Sequence, residues 1–237
     1  MSSHGETGRH MNRLPRIIFV TGTDTDIGKT ITTAALAAAL RARGRAVAVY
    51  KPAQAGTYDG QGDINVVRRL AGLSDVHEGI RLPDAMAPVA AAARAGTQLP
   101  PAQAHVTAIQ LLAATRDHTL VEGAGGLLVA LDHDGHTLAD IAQDSGSSAA
   151  AVIVCRAGLG TLNHTELTIE ALARREIAIR GLIIGSWPRH PTDIDTSNRD
   201  YLSRHAVPLI GVIPEGAGKL SPAEFATSAD GWLGASW

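Results

Sequence analysis

Aromatic side chains are scarce in this chain, only 3% of 237 residues although 45% are hydrophobic. Its core must therefore be built from Ala, Val, Leu and Ile, a composition that suits helices lying close against a parallel sheet. Cysteine occurs once, at Cys155, which excludes an internal disulfide framework and a cysteine metal cluster. A reducing, cytoplasmic home is the expectation. No apolar run approaches the roughly 20 residues of a membrane helix, so no membrane partner is expected. Neither sign of charge dominates: the net charge is −2 with acids and bases interspersed, and no basic patch recommends nucleic acid. Internal repeats and low-complexity tracts are absent as well.

The length fits one large domain. Residues 1–14 are read as a flexible N-terminal arm, polar and glycine-bearing, without the apolar centre of a signal peptide. Residues 15–237 are read as the domain. Within it strand-like runs alternate with helical ones. Strands are expected at 16–21, 47–50, 119–122, 151–154, 179–184 and 208–213, and helices at 29–43, 63–71, 86–95, 101–115 and 163–174. The central strands are continuous apolar runs, the pattern of strands covered on both faces. The expected fold is α/β: a single doubly wound, mostly parallel sheet flanked by helices, of the P-loop nucleotide hydrolase type. Ligands of such sheets sit beyond the carboxyl ends of the strands, so the residues there carry the functional reading.

After the first strand comes Gly22-Thr-Asp-Thr-Asp-Ile-Gly28-Lys29-Thr30, with a helix opening at Lys29. Strand, glycine loop and helix in register point to phosphate binding by loop N–H groups, with Lys29 as a charge on the β/γ-phosphates and Thr30 as a Mg²⁺ ligand. The loop is one residue longer between its glycines than the standard pattern. Lys51 ends the second strand and reads as a second cation for anionic groups, suited to phosphoryl transfer. Glu122, followed by Gly123-Ala124-Gly125-Gly126, ends an apolar strand. It reads as a Mg²⁺ ligand, with glycines that let the backbone approach a nucleotide. Asp63 and Asp59 compete for the second carboxylate, and spacing does not choose between them. The loop Gly158-Leu-Gly-Thr-Leu-Asn163 offers free N–H groups that suit a carboxylate. Asp132-His-Asp-Gly-His136 reads as a polar turn rather than a metal loop.

Taken together these segments resemble the dethiobiotin synthetase family. The stretch Thr21 to Thr30 is similar to its phosphate loop, extra residue included. Lys51-Pro52 with Gly56-Thr57, Glu122 to Gly126 and Gly158 to His164 are similar to its later motifs, in the same order. The resemblance implies an ATP-dependent cyclo-ligase of biotin biosynthesis. It would close the cyclic urea of dethiobiotin from 7,8-diaminononanoate and CO₂ or bicarbonate, through a carbamate and a carbamic-phosphoric anhydride. It implies Lys29 and Lys51 as catalytic residues, and Thr30, Asp63 and Glu122 around Mg²⁺. Nucleotide contacts would come from Asp26, Ile27, Gly28, Lys29, Thr30, Ile31, Asp63, Glu122, Gly123, Ala124, Gly125, Ser186 and Trp187. Substrate would meet Thr25, Lys29, Lys51 and Ala55. In a homodimer with shared sites, Leu159, Gly160, Thr161 and Asn163 of the other subunit would hold its carboxylate.

Two departures accompany the resemblance. Ala55 stands where members commonly carry Ser or Thr, leaving Thr57 or Gln54 as replacements for the hydroxyl. Ser186-Trp187-Pro188 follow Gly185 where members often place an adenine-reading Asn, so ATP is expected but another triphosphate such as CTP stays open. The competing reading is a P-loop switch ATPase of the partitioning type. Those proteins carry an additional lysine early in the loop, where this chain has Thr23 and Asp24. A regulatory nucleotide-binding module is the third; Lys51, Glu122 and the 158–164 loop speak against it.

Overall fold

In the computed structural model, residues 14–56, 62–234 and 237 are described. The expected arm, except Leu14, and the two residues Thr57 and Asp59 lie outside them. Seven strands, β1 (Ile17–Gly22), β2 (Val47–Ala55), β3 (Val76–Leu82), β4 (His118–Glu122), β5 (Ala149–Cys155), β6 (Ala178–Trp187) and β7 (Leu209–Pro214), form one sheet. Their order is β3-β2-β4-β1-β5-β6-β7, with every neighbouring pair parallel. The helices among the described residues are α1 (Lys29–Ala42), α2 (Asp63–Ala71), α3 (Pro88–Ala95), α4 (Ala102–Thr115), α5 (Leu138–Asp144), α6 (Thr161–Ala173), α7 (Asp193–Ser203) and α8 (Pro222–Trp232).

The composition explains the packing. Residues Ala34 to Leu40 of α1 are all buried, and their small side chains let the helix lie directly on Ile18, Val20 and Val49. Helices α1, α2 and α8 cover one face; α4, α5 and α6 cover the other, over Phe19, Val121 and Ile153. Both faces of β1, β4 and β5 are thus sealed, as their unbroken apolar runs require. Cys155 is one of these core residues. Burial pushes its thiol up to about 11, and it accepts a hydrogen bond from Thr165 Oγ1 at 3.3 Å.

Four elements were not foreseen. β3 is an edge strand whose residues alternate between buried and exposed, and its His77, Glu78 and Arg81 disguise it as a loop. Helices α5, α7 and α8 are short and each opens on a capping box: Thr137 with Asp140, Thr192 with Asp195, Ser221 with Glu224. The last, Ser-Pro-Ala-Glu, is a helix-start signature that the sequence does display. A further correction concerns β2. It does not stop at Tyr50 but runs to Ala55, carrying Lys51 and Pro52 inside the strand. Pro52 lies beyond the Val47–Tyr50 stretch paired to β4, so on that side its missing N–H breaks no ladder bond.

Candidate active site

The ends of β1, β2 and β4 meet at one place. β1 ends at Gly22 and α1 opens at Lys29, so the expected strand, loop and helix are all present. Gly28 is the N-cap of α1 with φ 94°, and Asp26 also takes a positive φ of 54°. Together they fold the loop back over the strand end. The Lys29 stem lies on Gly22, where a Cβ would come within 3.0 Å of Lys29 Cδ. Its ammonium donates to the Asp24 carbonyl at 2.7 Å, arching across the loop. The loop tip is tied down from β5: Thr23 N–H donates to the Val154 carbonyl at 3.1 Å, and Asp24 pairs with Arg156.

Lys51 projects from β2 into the neighbouring space and is fully buried. Its Nζ lies 2.8 Å from Glu122 Oε1, 2.7 Å from Asp63 Oδ2 and 3.3 Å from the Gly123 carbonyl. Thr30 Oγ1 donates to the same Glu122 Oε1 at 2.8 Å. Four residues from four elements therefore share one polar cluster. Glu122 is also fully buried, and its second oxygen, Oε2, finds no hydrogen-bond partner among the described residues. A buried, unengaged carboxylate oxygen beside Asp63 and a threonine hydroxyl is a donor set of hard oxygens, which suits Mg²⁺.

The charges perturb one another. Burial alone would lower the Lys51 pKa, but Glu122 and Asp63 more than reverse this, so the ammonium is held above the ordinary lysine value. Burial tends to raise the Asp63 carboxyl, yet the Lys51 charge and its hydrogen bond hold it below the usual aspartate range. Lys29 is shifted down, first by burial and then by repulsion from Lys51, with Glu122 and Asp63 opposing. The ion pairs with Glu122 and Asp63 thus favour the charged form of Lys51. A cleft of about 510 Å³ opens from this cluster, lined by Thr25, Lys51, Asp63, Gly125 and, from segments that sequence reasoning missed, Met86 and Val129. A larger shallow hollow of about 860 Å³ runs along α7, bounded by residues such as Asp193, Asp200 and Arg204, but none of these catalytic candidates line it.

Comparison with known proteins gives the arrangement a family. Residues 16–221 match the family model described as an AAA domain. The ATP-dependent dethiobiotin synthetase BioD of Mycolicibacterium vanbaalenii is 49% identical over 209 residues, 88% of this chain and 91% of that protein. The chain belongs to the dethiobiotin synthetase family. The ATP-dependent dethiobiotin synthetase BioD of Mycobacterium avium is 48% identical over 93% of this chain and 96% of its own length. The septum site-determining protein MinD of Pyrococcus horikoshii, solved with Mg-ADP, aligns with a TM-score of 0.57 over 89% of this chain and 88% of its own, at 21% identity. That likeness is one of fold.

Against the residues that the dethiobiotin synthetase resemblance named, the structure is specific. Gly123, Ala124 and Gly125 run beside the phosphate loop: a Cβ on Gly125 would lie 3.6 Å from Thr25 Oγ1, and one on Gly126 3.7 Å from the Gly22 carbonyl. Ile27 is buried, whereas Thr25 and Asp26 are exposed at the tip, and Ile31 follows in the first turn of α1. Ser186 and Trp187 adjoin Gly185, whose backbone touches the loop, but the Trp187 ring is stacked by Arg199 at 5.1 Å. Helix α6 begins earlier than expected, at Thr161, with Gly160 as N-cap. Leu159, Gly160 and Asn163 are exposed, while the Thr161 side chain is buried, so only its backbone could meet a ligand. Ala55 lines the cleft. Gln54 also borders the cleft, with its amide already engaged by the Asp63 N–H and the Ala55 carbonyl. Asp132 accepts from the N–H groups of Ala102, Asp134 and His136, so 132–136 folds as a turn that brings the side chains of Asp132, Asp134 and His136 close together.

Proposed function

We propose that this chain makes dethiobiotin from 7,8-diaminononanoate, CO₂ or bicarbonate, and ATP. The observation that carries the reading is the Lys51–Glu122–Asp63–Thr30 cluster against a phosphate loop, in a chain 49% identical to an ATP-dependent dethiobiotin synthetase. One amine of the substrate captures CO₂ as a carbamate. A carbamate oxygen attacks the γ-phosphorus and ADP leaves. The second amine then attacks the carbonyl of the mixed anhydride and phosphate departs.

Charge develops on phosphoryl and carbamate oxygens throughout, so preorganised cations supply most of the catalysis. Lys29 reaches the transferring phosphoryl from the loop. Lys51, held protonated, neutralises carbamate and released phosphate without taking a proton. Loop amides from Asp26 to Ile31 bind the phosphates, and Thr25 with the Ala55 wall borders the diamine. Thr30, Asp63 and Glu122 hold Mg²⁺, which when bound neutralises phosphate charge. Incubating the protein with diamine, bicarbonate and Mg-ATP should yield a product with the mass of dethiobiotin. No such product, under conditions where Mg-ATP binds, would remove the reading.

The choice of aspartate has its own test. Asp63 lies 2.7 Å from Lys51 within the cluster, which supports it as the ligand, while Asp59 lies outside the described residues. Asp63→Asn is expected to raise the Mg²⁺ requirement about 10-fold or more, and Asp59→Asn to leave it unchanged. The reverse order in a Mg²⁺ titration would reassign the ligand.

A homodimer with shared sites completes the proposal. It is supported by the exposure of Leu159, at 75%, and of Asn163 beside free N–H groups at the start of α6. Mixing inactive Lys51→Ala with inactive Gly160→Glu tests it, because a heterodimer then holds one site with both defects and one with neither. Activity should partly return after subunit exchange; exchange confirmed by mass without recovery rules the shared site out. A cytoplasmic setting belongs to the same proposal. No helix among the described residues is long and apolar enough to cross a membrane. The partitioning-type alternative rests on fold alone, and the last helix, α8, carries no Lys or Arg for a membrane surface.

A further inference from the structure

Three residues beyond Lys51, Gln54 is buried with its amide engaged at both ends. Oε1 accepts the backbone N–H of Asp63 at 2.8 Å, and Nε2 donates to the Ala55 carbonyl at 3.0 Å. Asp63 is the first residue of α2, where the backbone N–H has no partner inside the helix. The N-cap residue is Gly62, which has no side chain to cap with. The cap therefore comes from another element, the end of β2. From β3 the same helix start is pressed by an ion pair: a Cβ on Gly62 would lie 2.9 Å from Arg81 Nη2 and 3.2 Å from Glu78 Oε1. Arg81 stands opposite Gln54 in the β2–β3 register. Backbone and side chain of Asp63 are thus held by two residues of one strand, Gln54 and Lys51.

We propose that Gln54 is a positioning residue for the metal and phosphate site, fixing the Asp63 backbone so that its carboxylate keeps its place beside Lys51 and Glu122. The inference rests on the reading of Asp63 as a metal ligand. A neutral amide suits the task, since it grips the N–H without adding charge next to Asp63 and Glu122. One of its two donor hydrogens is held by the Ala55 carbonyl, which keeps the acceptor end aimed at α2. Partners that orient a metal ligand from behind typically matter by about 10–100-fold in metal affinity.

The test is Mn²⁺ affinity, read by electron paramagnetic resonance with a saturating non-hydrolysable ATP analogue, for wild type, Gln54→Met, Asp63→Asn and the double variant. Gln54→Met should weaken Mn²⁺ roughly 10-fold. Asp63→Asn should weaken it at least as much. The double variant should be no weaker than Asp63→Asn alone, because Gln54 acts through Asp63.

Unchanged Mn²⁺ affinity in Gln54→Met beside a loss in Asp63→Asn overturns the positioning role and leaves the metal assignment standing. Losses that add in the double variant overturn it too, since Gln54 would then act by another route. No loss in Asp63→Asn removes both. Should Gln54→Met fail to fold, Gln54→Asn takes its place: its shorter side chain falls short of Asp63. Wild-type Mn²⁺ affinity in Gln54→Asn, beside a loss in Asp63→Asn, overturns the proposal.

Discussion

Lys51→Ala should turn over roughly 10²–10³-fold more slowly than wild type, the usual effect of deleting a preorganised donor aimed at developing negative charge. Lys29→Ala belongs in the same range. The two variants should differ in stability. Lys51 is buried against Glu122 and Asp63 at 2.8 and 2.7 Å, so its removal leaves Glu122 in the interior with Thr30 as its remaining donor among the described residues. Breaking a buried ion pair from one side costs about 3–5 kcal/mol, or on the order of 10 °C in melting temperature for a domain of this size. Lys29 bonds only a loop carbonyl and is repelled by Lys51, so its loss should change the melting temperature little. Single-turnover kinetics and a thermal melt on each variant separate the cases. Near-normal turnover in Lys51→Ala would end its assignment as a catalytic cation.

Gly185→Ala is expected to lower affinity for a nucleotide triphosphate analogue by ~10²-fold, although Gly185 is not itself a charged or polar ligand. A Cβ there would sit 2.1 Å from the Ile27 carbonyl oxygen and 2.5 Å from Val154 Cγ1. From the other side, a Cβ on Gly28 would lie 2.3 Å from the Gly185 carbonyl oxygen. Backbone therefore packs directly on backbone between the phosphate loop and β6, and neither can retreat into the sealed core. A new methyl must push the loop outward. A displacement of about 1 Å at such a site costs on the order of 10²-fold. The control is Gly231→Ala, in the exposed part of α8 where a Cβ meets nothing within 4 Å. It should bind normally and gain up to about 1 kcal/mol in stability. Fluorescence titration with a labelled analogue decides; affinity within twofold of wild type for Gly185→Ala would show that the contact does not align the loop.

The failures of sequence reading share a physical cause. β3 was missed because an edge strand needs one covered face, and a strand written Val-His-Glu-Gly-Ile-Arg-Leu does not look apolar. β2 was cut short at Lys51 because lysine and proline usually end strands. Here the lysine continues inward, where two carboxylates from other elements compensate its burial. Gln54 was weighed as a substitute for a missing hydroxyl, a role its exposure in a loop would have allowed. Placed in a strand instead, it turns toward α2. That the Asp63 carboxylate reaches Lys51 depended on where α2 starts in space, and linear spacing holds no such information.

By itself the sequence determined the alternation of βα units, the unbroken apolar strands that demand a parallel sheet covered on both faces, and the phosphate loop with Lys29 and Thr30 at the start of α1. These are local or periodic properties, and a few neighbouring residues suffice to impose them. It also determined that Glu122 and the 158–163 loop would lie at the carboxyl edge of the sheet, since each ends or follows an apolar run. Only the tertiary structure decided that Lys51, Asp63, Glu122 and Thr30 share one buried cluster, that Gly185 presses on the phosphate loop, and that the Thr161 side chain is buried while Asn163 is exposed. Those facts depend on strand order, with β4 between β1 and β2 and β6 beyond β5. Contacts between residues 30 and 122, or 27 and 185, arise when the sheet assembles, because no local preference brings such distant segments together.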